Sequence, residues 1–167
     1  MTSLTTPVFT SPPRLPRGVD GWVAAWRHAE IPVLEETSAA IEELRLQEDA
    51  VDARLLSGSM GGDPLMCLKL LAHVSTHRSS RRVTDAETAT AALVMMGIGP
   101  FFRNFGRQPS VQERLAEQPA ALAGLQAVLR RSRRAAAFAL GFAVHRMDHD
   151  AEVIHEAALL HDFTEML

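Results

Sequence analysis

The sequence predicts an all-α protein, a compact bundle of about eight helices, and three observations carry that expectation. Alanine, leucine, glutamate and arginine are abundant, whereas aromatics make up 5% and tyrosine is missing. No stretch of alternating β-branched residues is long enough to make a strand. Apolar residues recur instead at three- and four-residue spacing, between turn signals built from Gly, Pro, Asp and Ser.

A chain of 167 residues can build one domain with a sizeable core. Its 47% hydrophobic and 22% charged residues are ordinary for a soluble globular protein. A formal net charge of −3 gives no basis for global nucleic-acid affinity. The single cysteine, Cys67, cannot form an internal disulfide, so nothing points to an oxidising compartment. Pro7, Pro12 and Pro13 interrupt the apolar core a signal peptide would need. No run approaches the ~18 apolar residues of a membrane span. The expected setting is the cytoplasm, away from membranes.

In chain order, residues 1–16 are rich in Thr, Ser and Pro and read as an irregular leader, followed by a single helical domain over 17–167. A first helix is expected near Val19–Glu30, capped by Asp20, with Val19, Trp22, Val23 and Trp26 on one face. Two tryptophans one turn apart read as packing rather than as a small-molecule platform. Ile31-Pro-Val-Leu34 breaks the chain before a second helix from Glu35 to Leu46 and a short third one from Asp49 to Leu56. Ser57-Gly-Ser-Met-Gly-Gly62 lacks the Lys-Ser/Thr ending of a phosphate loop and follows no strand, so it reads as a turn. Asp63 caps the fourth helix and Pro64 opens it, with Leu65, Leu68, Leu71 and Val74 inward. Cys67 on that helix reads as a small core residue rather than a nucleophile.

Ser75 to Arg82 is a polar, basic loop, solvated or in contact with an acidic partner. Thr84-Asp-Ala-Glu87 has the pattern of a capping box for a fifth helix that Gly97 ends. Pro100 begins a short sixth helix whose Phe101, Phe102 and Phe105 read as core. Ser110-Val-Gln-Glu113 is a second capping box. After Pro119 a long helix is expected from Ala120 to Met147. Arg130, Arg131, Arg133 and Arg134 form a dense basic patch on it, able to hold a phosphate or an acidic partner. Asp148-His-Asp150 caps a final helix running to Leu167. Val153, Ile154, Ala157, Ala158 and Leu160 give that helix an apolar face into which His161-Asp162 is set.

Four segments, in order, resemble the HDOD family, a degenerate branch of the HD superfamily of metal phosphohydrolases found in bacterial signalling proteins. They are Ile31-Pro-Val-Leu-Glu-Glu-Thr37, Asp63-Pro-Leu-Met-Cys-Leu-Lys-Leu-Leu71, Val83 to Gly97, and Ala157-Ala-Leu-Leu-His-Asp162. The likeness runs from about residue 18 to the end. His73-Val-Ser-Thr-His77 stands where the family carries an Asn-Ser pair. The family also continues well past the His-Asp doublet, so the resemblance implies a domain shortened at its C-terminus. The apolar end from Phe163 to Leu167 is then expected to need another surface, that of a second copy included.

An active HD centre, by the same resemblance, takes a histidine from the preceding long helix, the His-Asp doublet and a later aspartate. The matching position on the long helix is Arg131-Ser132, and an arginine offers donors only and stays protonated. The lysine that often follows the doublet is replaced by Phe163-Thr-Glu165. If a metal were held, His161 and Asp162 would be its ligands, with His145 and His149 as further candidates one turn apart. Asp148 and Asp150 are good caps, however, and turn the chain between His145 and His155. His161 reads as a core histidine bonded to Asp162 or a backbone carbonyl. No metal and no cofactor is expected.

The resemblance implies a non-catalytic protein of bacterial signal transduction that binds protein partners, with the arginines at 130–134 and the loop Arg78–Arg82 as its surfaces. Two alternatives remain. One is a metal-dependent phosphohydrolase acting on a nucleotide or cyclic nucleotide through His161 and Asp162. The other is a nucleotide-sensing module with the arginines as its clamp.

Overall fold

The protein's computed structural model describes residues 16–27, 29–77 and 85–167. Nearly all of the expected leader, and the basic residues Arg78, Arg81 and Arg82, lie outside the described residues. The chain divides into two units, Met1–Glu30 and Ile31–Leu167. The first contains α1 (Gly18–Trp26), which starts at Arg17 without a side-chain cap. Asp20 sits within its first turn, not ahead of it, and Val19, Trp22, Val23 and Trp26 all stay at least partly exposed.

The second unit runs α2 (Glu35–Arg45), a short 3-10 turn at Glu48–Ala50, α3 (Ala53–Met60), α4 (Pro64–Thr76), α5 (Ala89–Met96), α6 (Ile98–Asn104), α7 (Val111–Arg114), α8 (Pro119–His145), α9 (Ala151–Leu160) and α10 (Phe163–Met166). The class is all-α, and among the described residues no strand forms. An isolated backbone bridge joins Val33 to Ser110, with Val33 N–H donating to Pro109 and Val111 N–H donating to Val33. Among the described residues no helix is long and apolar enough to cross a membrane.

Local chemistry sets most of the boundaries. The Asp63 carboxylate accepts from Leu65 N and Met66 N at the start of α4, while its other oxygen accepts from Leu34 N at 2.8 Å. One buried side chain thereby anchors the starts of two helices. The box at Ser110 and Glu113 closes in both directions. Gly97 ends α5 at φ +86°, a conformation that favours glycine. Two starts differ from expectation. α3 starts at Ala53 rather than at Asp49, with Asp52 capping it by accepting from Leu55 N, and it continues through Ser57–Met60 and leaves only Gly61-Gly62 as the turn. Thr88 caps α5, its hydroxyl accepting from Ala91 N, and the expected cap Thr84 lies outside the described residues.

The main core gathers Val33, Ile41, Leu56, Met60, Met66, Cys67, Leu70, Leu93, the three phenylalanines of 101–105 and Leu159. A second cluster holds Leu34, Leu65, Val111, Leu129 and Met166. On α4 the buried residues are Pro64, Leu65, Met66, Cys67 and Leu70, while Leu68, Leu71 and Val74 lie at the margin. The reason is that α4 packs against α5, α9 and α10, so its buried face is wider than one stripe.

α8 and α9 form a tight helical hairpin. Its turn passes through Met147 at φ +55°. The expected single C-terminal helix is two helices, because the chain leaves α9 after Leu160, turns at His161-Asp162 and re-enters a helix at Phe163. That turn folds the end back. Met166 is buried in the second cluster with Leu167 packed beside it, and Phe163 remains exposed. Met166 and Leu167 are therefore covered by Leu34, Leu65, Val111 and Leu129 of this same chain.

Candidate functional site

The turn between α9 and α10 brings Asp162 against the middle of α8, where Arg131 projects. Arg131 Nε donates to Asp162 Oδ2 at 2.7 Å and its terminal nitrogen donates to Glu165 Oε2 at 2.7 Å. Those two carboxylates hold the guanidinium pKa above its ordinary value, Glu165 first and Asp162 second. The guanidinium thus stands between the two carboxylates, in the space a cation would need in order to share their oxygens.

His161 also turns toward Asp162. Its Nε2 lies 3.1 Å from the same Oδ2, and its Nδ1 lies 2.7 Å from Ala158 O. Both expected partners are present, yet the ring is not in the core: its side chain is 45% exposed. The difference arises because α9 stops one residue before it, which releases the ring from the helix's buried face. His145 is the last residue of α8 and His149 lies in the hairpin turn, both exposed, so the two do not share a helical face. Among the described residues no three His, Cys, Asp or Glu side chains converge in a way that could hold a metal ion.

The arginine patch does not act as one unit. Arg133 faces away from Arg131, donating from Nε to Gly62 O at 2.6 Å and pairing with Glu36 Oε1 at 3.0 Å. Neighbouring helical residues diverge by about 100°, which splits a run that looks continuous in sequence. A four-arginine phosphate clamp is therefore not assembled. Arg130 and Arg134, one turn apart, have no ion-pair partner among the described residues. With Ala127 and Arg131 they border a cleft of about 300 Å³.

A second polar centre escaped the sequence reading. Glu156 on α9 is only 8% exposed, and both its carboxylate oxygens lie 2.8 Å from Ala89 N, at the start of α5. Burial pushes its pKa up. The Cys67 thiol is hydrogen-bonded to it and is pushed up as well, by burial first and then by Glu156 and Asp63. Such a thiol stays protonated and is a poor nucleophile. The available signal was a glutamate within the apolar run Val153–Leu160, whose partner lies 67 residues away.

Glu156 borders a cavity of about 480 Å³ whose lining includes Ser57, Thr88, Thr90, Arg133, Glu152 and His155. Most of these polar groups already have hydrogen-bond partners. The Ser57 and Thr90 hydroxyls lie 2.7 Å apart, Thr88 caps α5, Glu156 takes Ala89 N–H and Arg133 is held by Glu36 and Gly62. The cavity lies between α3, α5, α8 and α9. Comparison of the chain with protein-family models, curated proteins and solved structures finds no match.

Proposed function

We propose that this chain is a non-catalytic regulatory module of HDOD type, acting in bacterial signal transduction by binding protein partners. The observation that supports this reading is the Arg131 guanidinium on Asp162 and Glu165. A metal ion seeking those oxygens has to displace two charge-assisted hydrogen bonds from a group that neither ligates nor deprotonates. Without a bound cation there is no activated water for phosphoester hydrolysis. Cys67, the other candidate for covalent chemistry, is buried and held as a thiol. What remains for such a module is surface recognition, and α8 supplies it through Arg130 and Arg134.

The test is phosphate release from nucleoside mono-, di- and cyclic phosphates with Mn²⁺, Mg²⁺ or Zn²⁺ added. The expected result is no turnover that distinguishes the native protein from an Asp162→Ala variant. Turnover that the substitution abolishes overturns the reading in favour of a phosphohydrolase.

A further inference from the structure

We infer that the outward face of α8 from Arg130 to Phe142 is a docking surface for an acidic amphipathic helix of a partner protein. The inference rests on reading the chain as an interaction module, and it adds the place of contact and the chemistry of the partner.

Arg130, Arg134, Phe138 and Phe142 follow one another at four-residue intervals, so they form a single ridge along α8, about 18 Å long. Phe138 is 65% exposed and Phe142 69% exposed, on a helix whose opposite side carries the buried Leu129, Ser132, Ala136 and Ala143. Two large aromatic rings one turn apart and open to water are a costly surface unless a partner covers them. Gly141 beside Phe142 has open space around it, so a second helix can approach closely there.

The other half of the ridge states what kind of helix fits. The cleft is lined by Ala127 and by three arginines, Arg130, Arg131 and Arg134. Arg131 is occupied by Asp162 and Glu165, so the excess positive charge of this neighbourhood sits on Arg130 and Arg134. A carboxylate entering the cleft meets a bidentate donor on either side. A partner helix with acidic residues at one end and apolar residues about two turns further on matches both halves of the ridge.

A second copy of this chain fits less well. Side by side in the same direction, two ridges set arginine on arginine. In opposite directions each arginine meets a phenylalanine, a contact that can stack, but the ridge itself holds no carboxylate, so both guanidiniums stay without an ion partner. Charge complementarity favours an acidic helix from another protein.

The experiment uses the full chain and two labelled synthetic helices of about four turns. One carries glutamates placed for Arg130 and Arg134 and leucines placed for Phe138 and Phe142. The other replaces the glutamates with lysines. Fluorescence anisotropy is expected to show binding of the glutamate helix alone. Phe138→Ser with Phe142→Ser is expected to weaken it by at least about tenfold, and Arg130→Glu with Arg134→Glu to switch the preference to the lysine helix. All four side chains are exposed, so circular dichroism should confirm an unchanged fold. Equal binding of both helices, no binding of either, or indifference to these substitutions overturns the inference. So does a dimer in sedimentation that the two serines dissolve, or capture of the protein by phosphatidylserine vesicles in place of the glutamate helix. Metal-dependent turnover would instead remove the module reading and leave the peptide result untouched, so the two failures are distinguishable.

Discussion

Arg131 and Asp162, 31 residues apart, meet at 2.7 Å, and the same guanidinium reaches Glu165 at 2.7 Å. One side chain of α8 therefore fastens both the turn after α9 and the helix that follows it. The His161-Asp162 doublet is bound into a surface ion network. Its aspartate serves as an arginine partner and, at 3.1 Å, as a neighbour of His161.

Removing that guanidinium should loosen the C-terminal segment selectively. In Arg131→Ala, amide exchange across Phe163–Met166 is expected to accelerate while the helical circular dichroism signal is retained. The pairs are solvent-exposed, so the difference in Tm between variant and native protein should narrow as salt is added. Unchanged exchange at these amides contradicts the network.

Glu156 predicts a pH dependence of definite sign. Its folded pKa lies above the unfolded value, with burial the main cause and the nearby Glu152 charge adding to it. The folded protein then holds the proton more tightly than the unfolded chain. This contribution is fully present below the unfolded pKa, about 4.3, and is lost as pH rises through the raised folded value. Glu156→Gln keeps an acceptor for Ala89 N–H and removes the titration. Its Tm should fall less than that of the native protein as pH rises above about 4.3. Asp63, also raised by burial, leaves a residual slope of the same sign in both proteins. Parallel pH profiles contradict the assignment.

Asp63→Ala deprives the buried N–H groups of Leu34, Leu65 and Met66 of their acceptor. The expected loss is about 3 kcal/mol, combining a lost cap with unsatisfied donors. Urea denaturation checks it, and a loss below about 1 kcal/mol means that neighbouring groups or water satisfy the donors.

Ser132 makes the opposite prediction. It is wholly buried on α8 and its hydroxyl has no hydrogen-bond partner. Ser132→Ala removes an unsatisfied polar group from a helix interior and should stabilise the protein, by up to about 1 kcal/mol. Destabilisation on urea unfolding would show that the hydroxyl is bonded in solution.

The parts of this architecture legible in sequence are those set by a few adjacent residues. Asp63-Pro64, Ser110 with Glu113, Gly97 and Pro119 each fix a boundary through a cap, a dihedral or a missing N–H. The third helix begins later than its sequence pattern suggests, and its Leu56 and Met60 are buried against partners distant in the chain. Helical spacing carried the last helix through His161 because periodicity does not register one turn between two helices. Adjacent arginines looked like one patch because linear proximity hides their divergence around α8. Arg131 stood out in the sequence as one of four clustered arginines, but nothing there pointed to its partners Asp162 and Glu165. Glu156 stayed hidden because its role is defined by Ala89, in another helix.

The most direct test of the central claim is a calorimetric titration of Mn²⁺ into the untagged protein, with Asp162→Ala as the control. If Arg131 fills the place of the cation, both proteins should give the same featureless heats and no stoichiometric site. Saturable binding near one equivalent that Asp162→Ala abolishes would contradict the account and restore the doublet as a metal centre.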